Sequence, residues 1–204
     1  MGMHTFPYRL ILASGSPRRK ELLTGLDLPF TIEYNPDAQE IINPALAPEA
    51  VAEDLARQKS YSFLRPLAPD ELLITADTLV LCRGQILGKP HSRDEALSML
   101  ACLSGQIHTV FTGVHLRTTT QERSFTARTQ VTFDQLSPSE IAYYVDKYQP
   151  YDKAGAYGAQ DWIGYVGIKH IEGSYFNVMG LPVHRLFREL MRFGDVRSDF
   201  QYYI

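Results

Sequence analysis

The sequence contains little cysteine, and its two cysteines are far apart. Cys82 and Cys102 are the only ones among 204 residues, and their separation fits no zinc or redox motif. Six histidines are present, but none has a partner at the spacing of a zinc site. We therefore expect a cytoplasmic protein with reduced thiols, without a disulfide framework or a zinc site.

Long apolar runs and an excess of charge of one sign are also missing. The longest hydrophobic stretches are too short to span a bilayer, and Met1-Gly2-Met3-His4 is not a basic region followed by a hydrophobic one. Twenty Lys and Arg stand against 23 Asp and Glu, a net charge of −3. Such a balance argues against a polyanion-binding surface, so we expect neither a membrane nor a nucleic-acid partner.

What the chain does have is a sizeable apolar fraction and an alternating order of elements. With 45% hydrophobic and 21% charged residues, it is expected to form a single domain over residues 1–204. Strands are predicted at 8–13, 30–35, 72–76, 79–82, 85–87, 107–116, 123–133 and 164–171. Helices are predicted at 17–25, 49–64, 93–103, 138–147 and 182–192. This alternation is typical of an α/β fold with a mixed sheet.

The most informative segment is a basic turn over residues 14–20. It follows a short buried strand and contains Ser16, a natural N-cap, and Pro17, a natural first helical residue. Arg18 and Arg19 add positive charge to the helix end that is already positive. Free backbone N–H groups, two serine hydroxyls and two guanidinium groups predict an anion site, with phosphate as the candidate. The alternative is a surface helix whose arginines pair with distant carboxylates.

A second candidate is Ala76-Asp77-Thr78, which directly follows the predicted strand 72–76. Open α/β sheets bind ligands at the carboxyl ends of their strands. A carboxylate there can hold a divalent cation or take a proton from water. Taken alone, the tripeptide is more typical of an Asx-turn or a helix cap.

Four further features each have a structural alternative. Lys59 lies on the apolar face of its predicted helix, where its ammonium either reaches solvent or meets an anion. Lys89, by itself, is a surface lysine before a turn. The loop 150–160 is rich in small residues and ends at Gln160, whose amide offers a donor and an acceptor to a base edge, although a tight structural turn is equally compatible. The segment 173–182 is predicted to be a structural loop.

Six segments, in order from about residue 8 to 192, resemble the Maf family of nucleoside triphosphate pyrophosphatases. They are Ser14–Arg19, Ala76-Asp77-Thr78, Gly88-Lys89-Pro90, Leu103-Ser104-Gly105, Asp152–Gln160 and Gly180-Leu181-Pro182. The resemblance implies a mixed, largely antiparallel twisted sheet flanked by helices, similar to inosine-triphosphatase folds, with a cleft between two lobes. It also implies hydrolysis of the α–β phosphoanhydride of a nucleotide to the monophosphate and pyrophosphate, for pool cleansing (house-cleaning) or growth arrest.

The resemblance assigns roles to single residues. Asp77 matches the family's proton acceptor, which would activate the attacking water. Arg18, Thr78 and Gln160 match positions tied to the choice of base. An arginine at 18 together with Gln160 resembles the dTTP/UTP branch, with modified pyrimidine triphosphates as further substrates. Phosphate-side positions are matched by Ser14, Arg19, Lys59 and Lys89, to which the basic turn adds Ser16.

A divalent cation and a second subunit complete these expectations. Mg²⁺ or Mn²⁺ would be held by Asp77 and by Glu40, although the variable loop leaves Asp37 as an alternative to Glu40. A homodimer is the family expectation. Two departures from the family pattern are Ala159, in place of a commoner isoleucine, and Asp161-Trp162-Ile163, in place of a glycine-rich continuation.

Two other functions compete with the pyrimidine assignment. The first is the same reaction on 7-methyl-GTP or on a non-standard purine triphosphate. The 7-methyl-GTP branch carries a bulky aromatic residue in place of Arg18, and this sequence does not. The second is a non-catalytic nucleotide-binding regulator of septum formation, which would need the basic turn but no acid poised beside it.

Overall fold

The computed structural model describes residues 6–193, which contain a seven-stranded sheet with helices packed against it. The strands are β1 (Arg9–Leu12), β2 (Phe30–Ile32), β3 (Glu71–Cys82), β4 (Gln85–Leu87), β5 (Ile107–Arg117), β6 (Glu122–Phe133) and β7 (Ile168–Glu172). The helices are α1 (Pro17–Thr24), α2 (Pro48–Tyr61), α3 (Arg93–Leu103), α4 (Pro138–Tyr148), α5 (Trp162–Gly167), α6 (Tyr175–Met179) and α7 (Val183–Phe193), with a 3₁₀ turn at Ala154–Ala156. None of these helices has the length and apolar character that a bilayer crossing requires.

The sheet is mixed and mostly antiparallel, as the resemblance implies. Its order is β2-β1-β3-β5-β6-β7, with β4 paired to the far end of β3. Only the β1–β2 and β1–β3 pairings are parallel. The other four pairings are antiparallel, which confirms the predicted fold class.

Local signals account for several of the boundaries. Ser16 is the N-cap of α1 and Pro17 its first residue, as predicted, although the Ser16 hydroxyl makes no capping hydrogen bond. Ser137 and Glu140 form the expected capping box at the start of α4, since each side chain binds the other's backbone N–H. The hairpin between β3 and β4 turns at Arg83 and the glycine that follows it.

Three predictions of secondary structure are wrong. The strands predicted at 72–76 and 79–82 are one strand, β3, because β5 pairs with it continuously from Leu73 to Leu81. This pairing overrides the turn tendency of the Asp-Thr dipeptide, since strand preference depends on the partner strand. The strand predicted at 164–171 is α5 followed by the shorter β7, and the segment 173–182 contains the short helix α6.

The two faces of the sheet carry different helices. Leu79 of β3 packs with α2 on one face, whereas Val80 packs with α3 and α4 on the other. Because side chains alternate along a strand, Asp77 shares the face of Leu79 and Thr78 shares the face of Val80. Neighbouring residues of β3 therefore point toward opposite layers of the fold.

One edge of β3 is interrupted in the middle. Its opposite edge pairs with β5 throughout, but on this edge β1 ends at the Leu12–Ile74 pair and β4 begins at the Val80–Leu87 pair. Between Ile74 and Val80 no other strand of residues 6–193 fills the gap. Asp77 lies at the centre of this gap, so the sheet is open beside it.

Candidate active site

The gap in the sheet opens into a cleft that is lined by residues of α1, α2, β3 and the loops after β4 and α4. The lining includes five basic and two acidic side chains: Arg18, Arg19, Lys59, Lys89 and Lys153, with Asp77 and Asp152. A cleft with this excess of positive charge suits a polyanionic ligand.

The prediction that Asp77 lies at the carboxyl end of a strand is wrong. It lies inside β3, opposite Gly113 of β5. The ligand-binding rule for open sheets nevertheless holds for the neighbouring strand, because β1 ends at Leu12 and leads directly into the basic turn. Asp77 reaches the cleft because β3 continues past the end of β1.

Lys59 joins two carboxylates at the centre of the cleft. Its Nζ lies 2.5 Å from Oδ1 of Asp77 and 3.0 Å from Oε1 of Glu40. The side chains of Lys59 and Asp77 are only 18% and 13% exposed, so they are largely withdrawn from water. The apolar face of α2 thus delivers its lysine to an anionic partner, which decides between the two alternatives left open by the sequence.

The position of α2 depends on an unusually close approach to β5. A Cβ atom built on Gly113 would lie 2.2 Å from the backbone oxygen of Ala52 in α2. Only glycine allows a helix backbone this close to the strand. Because Gly113 pairs with Asp77 and α2 carries Lys59, this contact positions the lysine over the carboxylate.

Glu40 and Asp37 occupy different places in the loop before α2. Glu40 lies against Lys59 and lines a pocket beside the cleft, which shares Arg19, Lys59 and Lys89 with it. Asp37 is exposed, its backbone N–H donates to Oδ1 of Asn35, and it does not line the cleft. Geometry therefore favours Glu40 as the second acid beside Asp77.

Arg19 is held by neutral groups alone. Its Nε donates to the backbone oxygen of Gly180 at 2.9 Å, its Nη1 to Ser14 Oγ at 3.4 Å and its Nη2 to Thr78 Oγ1 at 3.2 Å. Burial lowers the pKa of this arginine, and the nearby Asp77 opposes that shift. Arg19 forms no ion pair within the described part of the chain, so its charge is available to an anion.

Arg18 makes an ion pair across the cleft instead. Its Nη1 lies 2.6 Å from Oδ2 of Asp152, in the loop after α4. Burial disfavours the charged form of Asp152, but hydrogen bonds from Lys153 and Arg18 outweigh it and lower the pKa of this carboxyl to about 2. The charge of Arg18 is therefore paired with Asp152, whereas the charge of Arg19 remains available to an anion.

The serines of the basic turn form its inner wall. Ser14 is buried, and its Oγ accepts hydrogen bonds from the Ser16 backbone N–H at 3.2 Å and from Arg19. Ser16 lines the cleft with a hydroxyl that makes no capping bond. Gly15, between them, packs against the ring of Tyr34, and a Cβ there would lie 2.8 Å from Cζ of the ring.

The remaining predicted residues also line the cleft. Lys89 lines it and forms no hydrogen bond or ion pair with any residue in the described range. The Oε1 of Gln160 is buried and has no hydrogen-bond partner within residues 6–193. Thr78 is more engaged, since its hydroxyl contacts both Arg19 and Thr112.

Several residues of the site carry no individual role in the sequence interpretation. Gly180 has a φ of 112°, which favours glycine, and this turn presents its carbonyl to Arg19. Asp152 belongs to a matched motif, yet nothing local indicates that its side chain reaches Arg18 of α1. The Arg18–Asp152 contact joins residues 134 positions apart, so only a three-dimensional structure could reveal it.

The two acids beside Lys59 fit a divalent cation that is shared with a ligand. Mg²⁺ is usually held by one or two carboxylates together with substrate phosphates and water. The described residues contain no group of three or more metal-ligating side chains, and Asp77 with Glu40 is a pair of the expected kind. Their oxygens are ligands that Mg²⁺ and Mn²⁺ both accept.

Comparisons with known proteins indicate the family of the chain. The sequence profile of the family described as Maf-like protein matches residues 9–193. A dTTP/UTP pyrophosphatase of Bacteroides thetaiotaomicron is 52% identical over 91% of this chain and 96% of its own length. Proteins with the same name from Porphyromonas gingivalis and Flavobacterium psychrophilum are 50% and 44% identical, over 92% and 90% of this chain and 96% and 93% of theirs.

Proposed function

The chain belongs to the Maf-like protein family, and from this premise we propose that it is a nucleoside triphosphate pyrophosphatase. It hydrolyses dTTP and UTP to the nucleoside monophosphate and pyrophosphate, the activity for which its relatives are named. No observation favours the 7-methyl-GTP reaction, a purine substrate or a non-catalytic regulator.

One observation carries the proposal: an acid lies in the middle of a basic cleft. Asp77 is surrounded by the cationic side chains of α1, α2 and the two loops that follow β4 and α4. Phosphoryl transfer depends mainly on positioning and on neutralising negative charge, and such a cleft provides both. A binding protein would need the cations but not the acid.

Asp77 would accept the proton of the water that attacks the α–β linkage. A carboxylate that is mostly withdrawn from solvent can hold a water molecule by hydrogen bonding and remove its proton as the new bond forms. Around it, Arg19 and Lys89 have charge available for the phosphates, and Lys59 contacts Asp77 directly. Ser14 and Ser16, which directly precede α1, supply hydroxyl groups.

Base choice would depend on Arg18, Gln160 and Thr78. The edge of uracil or thymine presents an N–H group between two carbonyl oxygens. Gln160 Oε1, which is buried without a partner, fits the N–H, and the remaining N–H groups of Arg18 fit a carbonyl. Cytosine presents an acceptor in place of that N–H, so this pattern supports uracil and thymine.

A divalent cation would be held by Asp77 and Glu40, rather than by Asp37. When bound, Mg²⁺ or Mn²⁺ would neutralise charge on the phosphate oxygens and polarise the reacting linkage. We further propose that residues 1–204 form one catalytic domain, that the protein is a cytoplasmic homodimer, and that modified pyrimidine triphosphates are also substrates.

The test is pyrophosphate release from a panel of triphosphates: dTTP, UTP, CTP, dGTP, ITP and 7-methyl-GTP, each with Mg²⁺ or Mn²⁺. We expect the highest kcat/KM for dTTP and UTP, and loss of activity in the presence of a chelator, with recovery when excess cation is added. Preference for 7-methyl-GTP or ITP would overturn the base assignment. No release from any nucleotide, together with measurable binding, would support a regulator instead.

Replacing Arg18 with alanine is expected to change KM more than kcat. The guanidinium would contact the base rather than the reacting linkage, so its loss removes binding energy that is shared by ground state and transition state. We expect KM for dTTP to rise about tenfold, and the preference for dTTP over CTP to fall. A loss of kcat at unchanged KM would instead locate Arg18 at the transition state.

A further inference from the structure

We propose that Asp152 is a positioning residue for base recognition, which holds the Arg18 guanidinium in the orientation that meets the base. The inference rests on the proposed function and deepens it. Neither the family profile nor the names of the relatives assign a role to this carboxylate. The supporting observation is the contact between the Asp152 and Arg18 side chains across the cleft.

Asp152 binds Arg18 at two points. Nη1 of Arg18 donates to Oδ2 at 2.6 Å, and Nη2 donates to the backbone oxygen of the same residue at 3.3 Å. Two contacts to one residue fix the guanidinium plane as well as its position. The Arg18 side chain is 21% exposed and Asp152 is 55% exposed, so the pair lies at the mouth of the cleft.

Asp152 is itself fixed by its neighbours. Lys153 Nζ lies 2.8 Å from the other carboxylate oxygen of Asp152 and 3.7 Å from Oδ2 of Asp161. The Tyr144 hydroxyl donates to the same Asp161 oxygen at 2.8 Å and accepts from the Gly158 backbone N–H at 3.0 Å. This chain of contacts ends two residues before Gln160. One network therefore links Arg18 to the loop that carries Gln160, a second residue that we assign to base recognition.

The ion pair with Asp152 leaves Arg18 with N–H groups that can donate hydrogen bonds to a ligand. A guanidinium has five N–H donors, and Asp152 takes two of them, so three remain. The contact is therefore compatible with binding and does not block it. Without Asp152 the long side chain would become free to rotate, and ordering it again on binding would weaken affinity.

A second consequence concerns charge. Without the Asp152 carboxylate, Arg18 and Lys153 would each lose an anionic partner. Their positive charges would then attract any triphosphate more strongly, regardless of its base. A replacement of Asp152 should therefore lower discrimination between bases more than it lowers overall activity. This pattern separates positioning from a general structural role.

The experiment measures kcat and KM for dTTP and CTP in the wild type, Asp152→Asn, Asp152→Glu, Arg18→Ala and the double variant Arg18→Ala/Asp152→Asn. Asp146→Asn is the matched control, because Asp146 pairs with Arg93 at the same 2.6 Å and is 54% exposed, but lies outside the cleft. Thermal unfolding of each variant monitors the fold.

We expect Asp152→Asn to reduce the dTTP/CTP ratio of kcat/KM about tenfold, mainly through KM for dTTP, with kcat nearly unchanged. Asp152→Glu should restore part of the ratio, Asp146→Asn should keep it, and Asp152→Asn should add nothing in the Arg18→Ala background. An unchanged ratio, an effect confined to kcat, or additive effects of the two substitutions would overturn the inference. If the wild type releases no pyrophosphate from dTTP, it is the proposed function that fails.

Discussion

Replacing Asp77 with asparagine is expected to lower kcat for dTTP by about 10²–10⁴-fold, while the nucleotide still binds. Asparagine has nearly the same shape, but its amide cannot take a proton from water. Lys59 keeps an anionic partner in the variant, because Glu40 lies 3.0 Å from its Nζ. Arg19, which we propose to bind the phosphates, is untouched, so affinity for the nucleotide should persist.

Initial rates of pyrophosphate release and calorimetric titration with dTTP measure the two effects of this substitution separately. Asp70→Asn is a suitable control, because Asp70 lies immediately before β3 and pairs with the exposed Arg9 at the protein surface. The control should retain wild-type rates. An Asp77→Asn enzyme with full activity would remove Asp77 from the chemistry and with it the mechanism proposed above.

Gly113→Ala is expected to lower the free energy of unfolding by about 1–3 kcal/mol. The new methyl group would lie 2.2 Å from the Ala52 oxygen and 2.4 Å from the Glu53 backbone nitrogen. These are backbone atoms, so the clash cannot be relieved by a side-chain rotation. The helix α2 must move away from the sheet, and Lys59 with it.

Denaturant unfolding followed by circular dichroism measures this loss. Gly88→Ala is the matched control for stability, since a Cβ at Gly88 would have no neighbour within 4 Å. We expect a lower midpoint for Gly113→Ala only, accompanied by reduced turnover, because Lys59 no longer meets Asp77. Equal midpoints for both variants would mean that the contact between α2 and β5 tolerates a methyl group at position 113, and would contradict the close approach of the two elements.

The parts of the site that local rules determine were predictable from the sequence. The basic turn begins α1 where the N-cap and Pro17 indicate, because these preferences act within a few residues. Lys59 was placed correctly on the buried side of its helix by periodicity alone. The capping box of α4 and the hairpin after β3 were correct for the same reason.

The parts of the fold and of the site that depend on contacts between distant segments could not be predicted from the sequence. Asp77 lies inside a strand because β5, which begins about 25 residues after β3, continues the ladder past it. The contact from Arg19 to the Gly180 carbonyl joins residues 161 positions apart, and no local pattern indicates it. Strand and helix preferences are likewise too similar over residues 162–167 to show that α5 precedes β7.

The interrupted edge of β3 explains why chemistry is located here. Where β1 has ended and β4 has not begun, Asp77 and Thr78 face opposite layers and yet both line one cleft. Asp77 meets the lysine of α2, and Thr78 meets Arg19 of α1. Strand alternation thus directs Asp77 toward one layer and Thr78, which we propose contributes to base choice, toward the other.

We propose that this cleft cleaves the α–β linkage of a pyrimidine triphosphate, and this proposal can be tested on the reaction products. Its most direct test is to identify the products of dTTP with the purified protein and Mg²⁺ by ³¹P nuclear magnetic resonance. We expect dTMP and pyrophosphate in equal amounts, with no dTDP. Formation of dTDP and orthophosphate, or dTTP that stays intact although it binds, would contradict it.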